Sequence, residues 1–282
     1  MCKTTAARRN RSSRELVVKR IVWLTDIHLN FVESAIVDQL LAEINAESPD
    51  AVLIGGDIGE SRDVAEYLSR IANRVAKPIY FVLGNHDFYR SSIPVVRDAM
   101  RDLCGEHDRL CYLTHSEPIA LTSSIGLVGH DGWADGRSGD YENSDVFLSD
   151  YALIAELAGH YEVDRRPMLN QLGDEAASHI RDVLPTALER FEHVFLLTHV
   201  PPMRDACWHE GQVSDDNWAP HFVCQMMGST ILEIMRDRPD RKLTVLCGHT
   251  HGAGETRPLD NVHIITGGAV YGGPAITRIL EI

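Results

Sequence analysis

Apolar and polar positions along the first hundred residues alternate between two periods. Short apolar runs at 20–26 (RIVWLTD), 50–57 (DAVLIGGD) and 78–87 (PIYFVLGNHD) have the length and branching of buried strands. Between them, 34–47 places apolar residues at 36, 37, 40, 41 and 44, and 62–75 places them at 64, 65, 68, 71, 72 and 75, which is helical spacing. A further helix is expected at 93–104. Strands of this kind alternating with helices imply βαβ units and a parallel sheet covered on both faces. The second half predicts strands at 110–113, 118–121, 125–129, 193–198 and 243–247, and helices at 145–160, 172–190 and 228–237. From Val262 onward, VHIITGGAVYGGPAITRILEI reads as two short strands with a Gly-rich turn. Residues 130–144 and 201–224 fit neither period, and long irregular segments in a packed domain often carry function.

Composition narrows the class. The 282 residues are 44% hydrophobic and 24% charged, ordinary for a globular chain, and no run of 18 apolar residues is present to span a membrane. The expected organisation is one domain over 20–282 behind a basic, flexible N-terminal tail at 1–19. Residues 3–20 carry Lys3, Arg8, Arg9, Arg11, Arg14, Lys19 and Arg20 against Glu15 alone. That local balance of +6, within a total of −14, leaves the body of the chain near −20. Such a body repels polyanions, so nucleic acid is not a favoured partner. The head has no apolar stretch of the secretory type. Six cysteines (2, 104, 111, 207, 224 and 247) show no CxxC spacing, which reads as reduced thiols in a cytoplasmic protein.

Chemistry sits at the strand ends. The first run ends in Asp26-Ile27-His28, the second in Gly55-Gly56-Asp57, the third in Gly84-Asn85-His86-Asp87, the run at 194–198 in His199, and the run at 243–247 in His249 and His251. Ligands gather beyond the carboxyl ends of strands in open α/β sheets, so five strands aim carboxylate, amide and imidazole groups at one place. A lone histidine after a strand is usually a structural residue; five such endings in succession are not readily explained that way. Oxygen and imidazole donors suit Mn, Fe or Zn, and two ions about 3.5–4 Å apart clamp a phosphate and acidify a shared water. Within an extended GHTH segment, His249 and His251 would emerge on one side and offer one imidazole to each ion.

The series D-x-H, GD, GNHD, TH and GHTH resembles the calcineurin-like binuclear metallophosphoesterases, from residue 21 to about residue 252. The resemblance implies an α/β fold, a four-layer α-β-β-α sandwich with two mixed β-sheets. It implies that Asp26, His28, Asp57 and His251 hold one divalent ion and that Asp57, Asn85, His199 and His249 hold a second, Asp57 bridging. It implies in-line attack on a phosphoester by a metal-bridging hydroxide. His86 is then the histidine that is not a ligand, placed to act as general acid or charge stabiliser. Such an imidazole needs an orienting carboxylate. Glu60, three residues after Asp57, and Asp87 are the candidates, and Ser61 stands where the protein phosphatase branch has a phosphate-clamping arginine.

The substrate is expected to be a small or nucleotide-like phosphomonoester or phosphodiester. His130, Asp131 and Trp133 follow a strand end and are expected to border the site, as are Trp208 and His209 in the loop after His199. Arg204 in that loop is expected to be a surface charge. Two rival readings are a nuclease of the DNA-repair type, using the basic head as an arm, and a catalytically silent metal-binding scaffold on the same fold.

Overall fold

The apolar runs of the first half become neighbouring strands. In chain order the computed structural model contains β1 (Arg20–Leu24), α1 (Ser34–Ala46), β2 (Ala51–Gly55), α2 (Val64–Val75), β3 (Ile79–Val82), α3 (Ile93–Glu106), β4 (Leu110–Tyr112), β5 (Ile119–Ala120) and β6 (Ile125–His130). It continues with α4 (Asp150–Leu153), α5 (Glu162–Arg190), β7 (His193–Thr198), β8 (Trp208–His209), β9 (Gln212–Val213), α6 (Ala219–Phe222), α7 (Gln225–Arg236), β10 (Lys242–Cys247), β11 (Gly254–Leu259), β12 (Val262–Thr266) and β13 (Arg278–Glu281). The structure describes residues 18–282, so the basic segment up to residue 17 lies outside the described residues.

Two large sheets are formed in the order β13-β1-β2-β3-β4 and β11-β12-β10-β7-β6-β5, and β8 pairs with β9 in a small antiparallel ribbon. In the first, β1 to β4 run parallel and β13 closes the edge antiparallel to β1. In the second, β6, β7, β10 and β12 run parallel, and β5 and β11 are antiparallel edges. Both sheets are therefore mixed, with parallel centres.

Alternation along each strand explains the layers, because successive side chains point to opposite faces. Ile21 and Trp23 of β1, Ala51 and Leu53 of β2, and Phe195 and Leu197 of β7 meet in the core between the sheets. The intervening Val22, Leu24, Val52 and Ile54 face Leu40, Leu41, Leu68, Ile71 and Met100 of α1, α2 and α3. Val194, Leu196 and Val245 face Ile180 and Leu184 of α5 and Met227 and Ile231 of α7. The result is the four-layer α-β-β-α sandwich. The parallel strands end on one side, which places the β1, β2 and β3 carboxyl ends beside those of β7 and β10.

Three elements differ from the sequence expectation. The helix expected at 172–190 begins at Glu162 and contains Pro167 and Pro185. Each proline removes one helical N–H, yet burial of Leu169, Ala176, Ile180, Leu184 and Leu188 holds the helix together. The helix expected at 145–160 shrinks to the single turn α4. The two strands of the C-terminal segment do not pair with each other: β12 joins β10 in one sheet and β13 joins β1 in the other, and the Gly-rich stretch between them crosses the sheets. Strand β11, polar and half-exposed, carried no periodic signal. Among the described residues no helix is long and apolar enough to cross a membrane.

Candidate metal centre

Backbone conformation at the strand ends turns the side chains inward. Asp26, His28, Asp57, His249 and His251 all have positive φ, between 38° and 70°. Left-handed backbone at a non-glycine residue costs on the order of 1–3 kcal/mol and persists only where the surroundings enforce it. Five instances within one cluster mark a built site. The GHTH segment is consequently not extended: His249 and His251 are both left-handed, and the expected same-side alternation is replaced by two tight turns. Two glycines make room. A Cβ on Gly248 would fall 2.0 Å from Asp26 Oδ2, and one on Gly84 would fall 2.1 Å from Asp57 Oδ1.

At the first position one ligand atom each from Asp26, His28, Asp57 and His251 lie within 4.8 Å of one another. His28 Nε2 and His251 Nε2 face each other at 3.1 Å. Asp57 Oδ2 stands 3.6 Å from His28 Nε2, and Asp26 Oδ1 stands 3.6 Å from His251 Nε2. At the second position Asn85 Oδ1 is 3.1 Å from His199 Nε2 and 3.0 Å from His249 Nδ1. Asp57 Oδ1 is 3.5 Å from His199 Nε2, so the two oxygens of this carboxylate face the two positions.

The outer nitrogens fix the tautomers at the second position. His199 Nδ1–H donates to the Gly55 carbonyl at 2.9 Å, and His249 Nε2–H donates to the His221 carbonyl at 3.2 Å. The lone pairs of His199 Nε2 and His249 Nδ1 are then left pointing at the Asn85 and Asp57 oxygens. Two imidazole lone pairs and the Asn85 carbonyl oxygen converge with no donor among the three, a set that a cation would satisfy, while the neighbouring Asp57 Oδ1 also accepts the His86 backbone N–H at 2.9 Å. The imidazole protonation states agree with this. Burial, with neighbouring imidazoles adding to it, pushes His28 down to about 2 and His249 down to about 4, and holds His199 well below its ordinary value. The carboxylates shift the other way: burial raises Asp26 to about 7 and, helped by Asp26 and Asp87, holds Asp57 well above the usual carboxylate range, a penalty on their charge that a bound cation would offset.

His86 stands over the same cluster. Its Nε2 is 4.0 Å from Asp57 Oδ2 and 3.4 Å from the Tyr271 hydroxyl. Its ring packs on Tyr89 at 4.3 Å and meets His28 at 4.6 Å. Burial and the imidazoles of His249 and His251 push it down to about 3. The expected carboxylate partner is not there. Glu60 turns away to Arg90 Nε at 3.0 Å, because Arg90 supplies the cation that the buried carboxylate needs. Asp87 is fully buried and accepts from the Ile58, Gly59 and Gly84 N–H groups, tying the β2 and β3 loops together. His86 Nδ1 is buried without a hydrogen-bond partner, so flanking rings hold this imidazole.

The irregular segments supply supports that the sequence did not reveal. Asp150, buried at the start of α4, accepts from Asn85 Nδ2 at 2.8 Å and from the Tyr89 hydroxyl at 2.7 Å. It orients Asn85 so that Oδ1 faces the two imidazoles. His221 in α6 gives its carbonyl to His249, while its ring is held by Ser144 and Tyr151. The segments 130–160 and 201–224 thus dock on each other and together brace the second position. Tyr271, in the Gly-rich crossing, packs on His28 at 4.5 Å and His251 at 4.7 Å.

A cleft of about 330 Å³ opens onto Asp57, Asn85, His86, His249 and His251. Of the residues expected to border it, His209 does, with its ring against Trp218 at 4.9 Å and Phe222 at 5.2 Å. His130 and Asp131 do not. His130 is buried with Nδ1 accepting the Gly132 N–H. Asp131 is buried between Arg97, Tyr112, Thr114 and the Leu83 N–H. Trp133 packs into the core against Phe88 at 5.8 Å, behind Asn85. Trp208 covers Gly252 and Gly254, outside the cleft lining. Arg204 pairs with Asp216 at the surface.

Comparison with known proteins accords with this geometry. The family model described as calcineurin-like phosphoesterase matches residues 19–253. An uncharacterized metallophosphoesterase of Campylobacter jejuni is 37% identical over 87 residues, 29% of this chain and 23% of that protein. One of Helicobacter pylori is 31% identical over 81 residues, 27% of this chain and 22% of that protein. The alignments thus span under a quarter of these relatives' own length. Among solved structures, the phosphopantetheinyl hydrolase of Mycobacterium tuberculosis superposes with a TM-score of 0.63 at 15% identity, covering 90% of each chain. A dimetal phosphatase from Danio rerio superposes at 0.56 and 13% identity, covering 90% of this chain and 88% of that one. At such identities the likeness is one of fold. The family match across most of the sequence, over strand ends that converge on one cluster of metal-type ligands, makes this chain a member of the calcineurin-like phosphoesterase family.

Proposed function

We propose that the protein is a metal-dependent hydrolase of small phosphoesters. Two divalent ions would be held, one by Asp26, His28, Asp57 and His251, the other by Asp57, Asn85, His199 and His249. The mixed oxygen and imidazole donors suit Mn, Fe or Zn. The observation that carries the reading is the second position, where two imidazole lone pairs with fixed tautomers face the Asn85 oxygen without a donor among the three, beside an Asp57 oxygen. Such ions supply Lewis acidity to the phosphoryl oxygens and lower the pKa of a nearby water.

The chain's own residues do the rest. Asp57 offers one oxygen to each position and so sets their spacing. His86 overlooks the cluster from the cleft without being needed as a ligand, which supports a role in which its imidazole N–H would meet the oxygen leaving phosphorus. Tyr89 and Tyr271 fix the plane of that ring. The acidic balance of −14 disfavours the nuclease reading, and retention of every ligand position disfavours the silent scaffold. The five described cysteines are unpaired, which supports a reducing, cytoplasmic setting.

The test is metal analysis of the purified chain after Mn or Fe supplementation, paired with turnover of nitrophenyl phosphoesters. About two ions per chain and metal-dependent turnover are expected. Fewer than one ion per chain refutes the binuclear assignment.

A further inference from the structure

We infer that the cleft takes a phosphodiester: one singly charged phosphoryl group with an apolar or aromatic substituent on each side and no second phosphate. This rests on the reading of the site as a metal-dependent phosphoesterase and narrows its substrate.

The first observation is an aromatic wall beside each ligand cluster. Next to the first position, Tyr271 lies against His28 and His251 and meets the ring of Phe31 at 5.3 Å. Both Tyr271 and Phe31 are 53% exposed. Next to the second position, Phe222, itself buried, sits edge-on to His249 at 5.1 Å, and Phe147, 65% exposed, lines the same cleft beside Tyr151. Apolar rings left in water around a polar cluster mark surface waiting for a ligand. A phosphoryl group between the two positions would carry its two ester arms along the two walls. A monoester has one arm and would leave one wall wet.

The second observation is charge. No lysine or arginine among the described residues lines the cleft, whereas Asp57 and Asp150 do. The arginines of the neighbouring segments are already engaged. Arg90 serves Glu60, Arg204 serves Asp216, and Arg165 is buried behind the wall, donating to the His160 carbonyl with its guanidinium 4.0 Å from the Tyr151 ring centroid and 5.5 Å from that of Phe147. A diphosphate, a triphosphate or a polynucleotide would bring anionic oxygens to this lining with no side-chain cation to meet them, and such uncompensated charge is costly where water is partly excluded. A phosphodiester carries one negative charge, at the phosphorus being attacked. In the reaction the oxygen of water bonds to phosphorus while the bond from phosphorus to one ester oxygen breaks. That oxygen leaves as an alcohol with one proton of the water, and the other proton goes to the new phosphomonoester or to solvent.

The experiment uses the full chain loaded with Mn²⁺ and three probes: bis(p-nitrophenyl) phosphate, p-nitrophenyl phosphate and ATP. The diester is expected to show the highest kcat/KM, by roughly 10-fold or more. Phe147→Ala and Tyr271→Ala should each raise KM for the diester roughly 2–10-fold, the scale of a lost aromatic contact. Higher kcat/KM for p-nitrophenyl phosphate or ATP overturns the inference, as does a diester KM that neither variant moves; the phosphoesterase reading survives both results. A metal-loaded protein silent toward all three probes overturns that reading and the inference with it.

Discussion

Asp131 offers the sharpest separation between a residue that touches substrate and one that holds the fold. Its carboxylate is 1% exposed and accepts four hydrogen bonds, from Leu83 N–H at 2.8 Å, Thr114 Oγ1 at 2.8 Å, Arg97 Nε at 3.0 Å and the Tyr112 hydroxyl. Asp131→Ala removes all four acceptor contacts at once. Arg97 is left 9% exposed with only the half-exposed Glu175 as a counter-charge. Breaking a buried ion pair from one side costs about 3–5 kcal/mol, because the surviving charge stays buried. The three other donors do not add in full, since residues sharing one network are not independent. Against a total stability of about 5–15 kcal/mol, the expected loss is about a fifth or more.

Urea unfolding followed by circular dichroism reads this loss as a lowered midpoint. The double variant Arg97→Met with Asp131→Leu should recover only the part due to the stranded guanidinium, since the Leu83 N–H and the Thr114 and Tyr112 hydroxyls still lose their acceptor. The pH dependence has a definite sign. Burial alone would raise the Asp131 pKa, but Arg97, His130, Tyr112 and the Leu83 N–H outweigh it and hold the carboxyl below 3.8. A depressed native value stabilises the fold above the unfolded value and is lost as pH falls through the native one. The gap between wild type and Asp131→Ala should therefore be full at neutral pH and narrow below about pH 4. A loss under about 1 kcal/mol, the scale of an ordinary point substitution, together with a raised KM in a stable variant, would refute this reasoning and return Asp131 to the substrate site.

Other expectations follow from the site. His86→Asn should lower kcat by about 10²–10⁴-fold while both ions stay bound; metal loss measured by elemental analysis would contradict its placement outside the ligand set. Asp57→Asn should weaken both positions together, seen as a fall of both in a Mn²⁺ titration, because its two oxygens face the two clusters. Asp150→Ala should weaken the Asn85 position by about 10–100-fold and spare the other, read by calorimetry; equal weakening of both would show that Asp150 acts through general packing. Gly248→Ala should abolish binding at the Asp26 position, since its Cβ would fall 2.0 Å from Asp26 Oδ2.

How much of this was legible in the sequence depends on where each cause lies. The proposed ligands were visible because strand endings are local: an apolar run of five or six residues closes on Asp, Asn or His, and the parallel sheet brings the endings together. The same local signature misled at 130–133. HDGW follows β6 as DIH follows β1, but β6 sits one strand beyond β7, and its carboxylate turns under β3 and β4 instead of into the cleft. The discriminating signal lay elsewhere in the chain. Arg97 falls on the buried face of α3, beside Ile93, Val96 and Met100, and a buried guanidinium demands a buried carboxylate. Asp150 and Tyr271 had no comparable trace. Asp150 acts on Asn85 across 65 residues through a one-turn helix, and Tyr271 reaches His28 only because the Gly-rich stretch crosses between sheets. Their roles are consequences of loop docking, which carries no periodicity.

That docking also explains why the two clusters are not equivalent. The first is built on the β1 and β2 ends and the turn after β10, with the Asp26 carboxylate held by the His249 N–H and the Thr25 hydroxyl. The second draws Asn85 from the β3 end and His199 from the β7 end, but the orientation of Asn85 depends on Asp150 and the tautomer of His249 on the His221 carbonyl, both in irregular segments. Because Asn85 offers an oxygen or an amide N–H according to how it is turned, freeing it converts an acceptor into a donor facing two imidazole lone pairs. The second position should therefore be the weaker and the more sensitive to loop substitutions. Stepwise Mn²⁺ titration of wild type should show two separated affinities, with Ser144→Ala, which removes one of the two hydrogen bonds on the His221 ring and leaves that of Tyr151, lowering only the weaker one. A single shared affinity, or an effect of that variant on the tighter step, would show that the segments do not govern the second position.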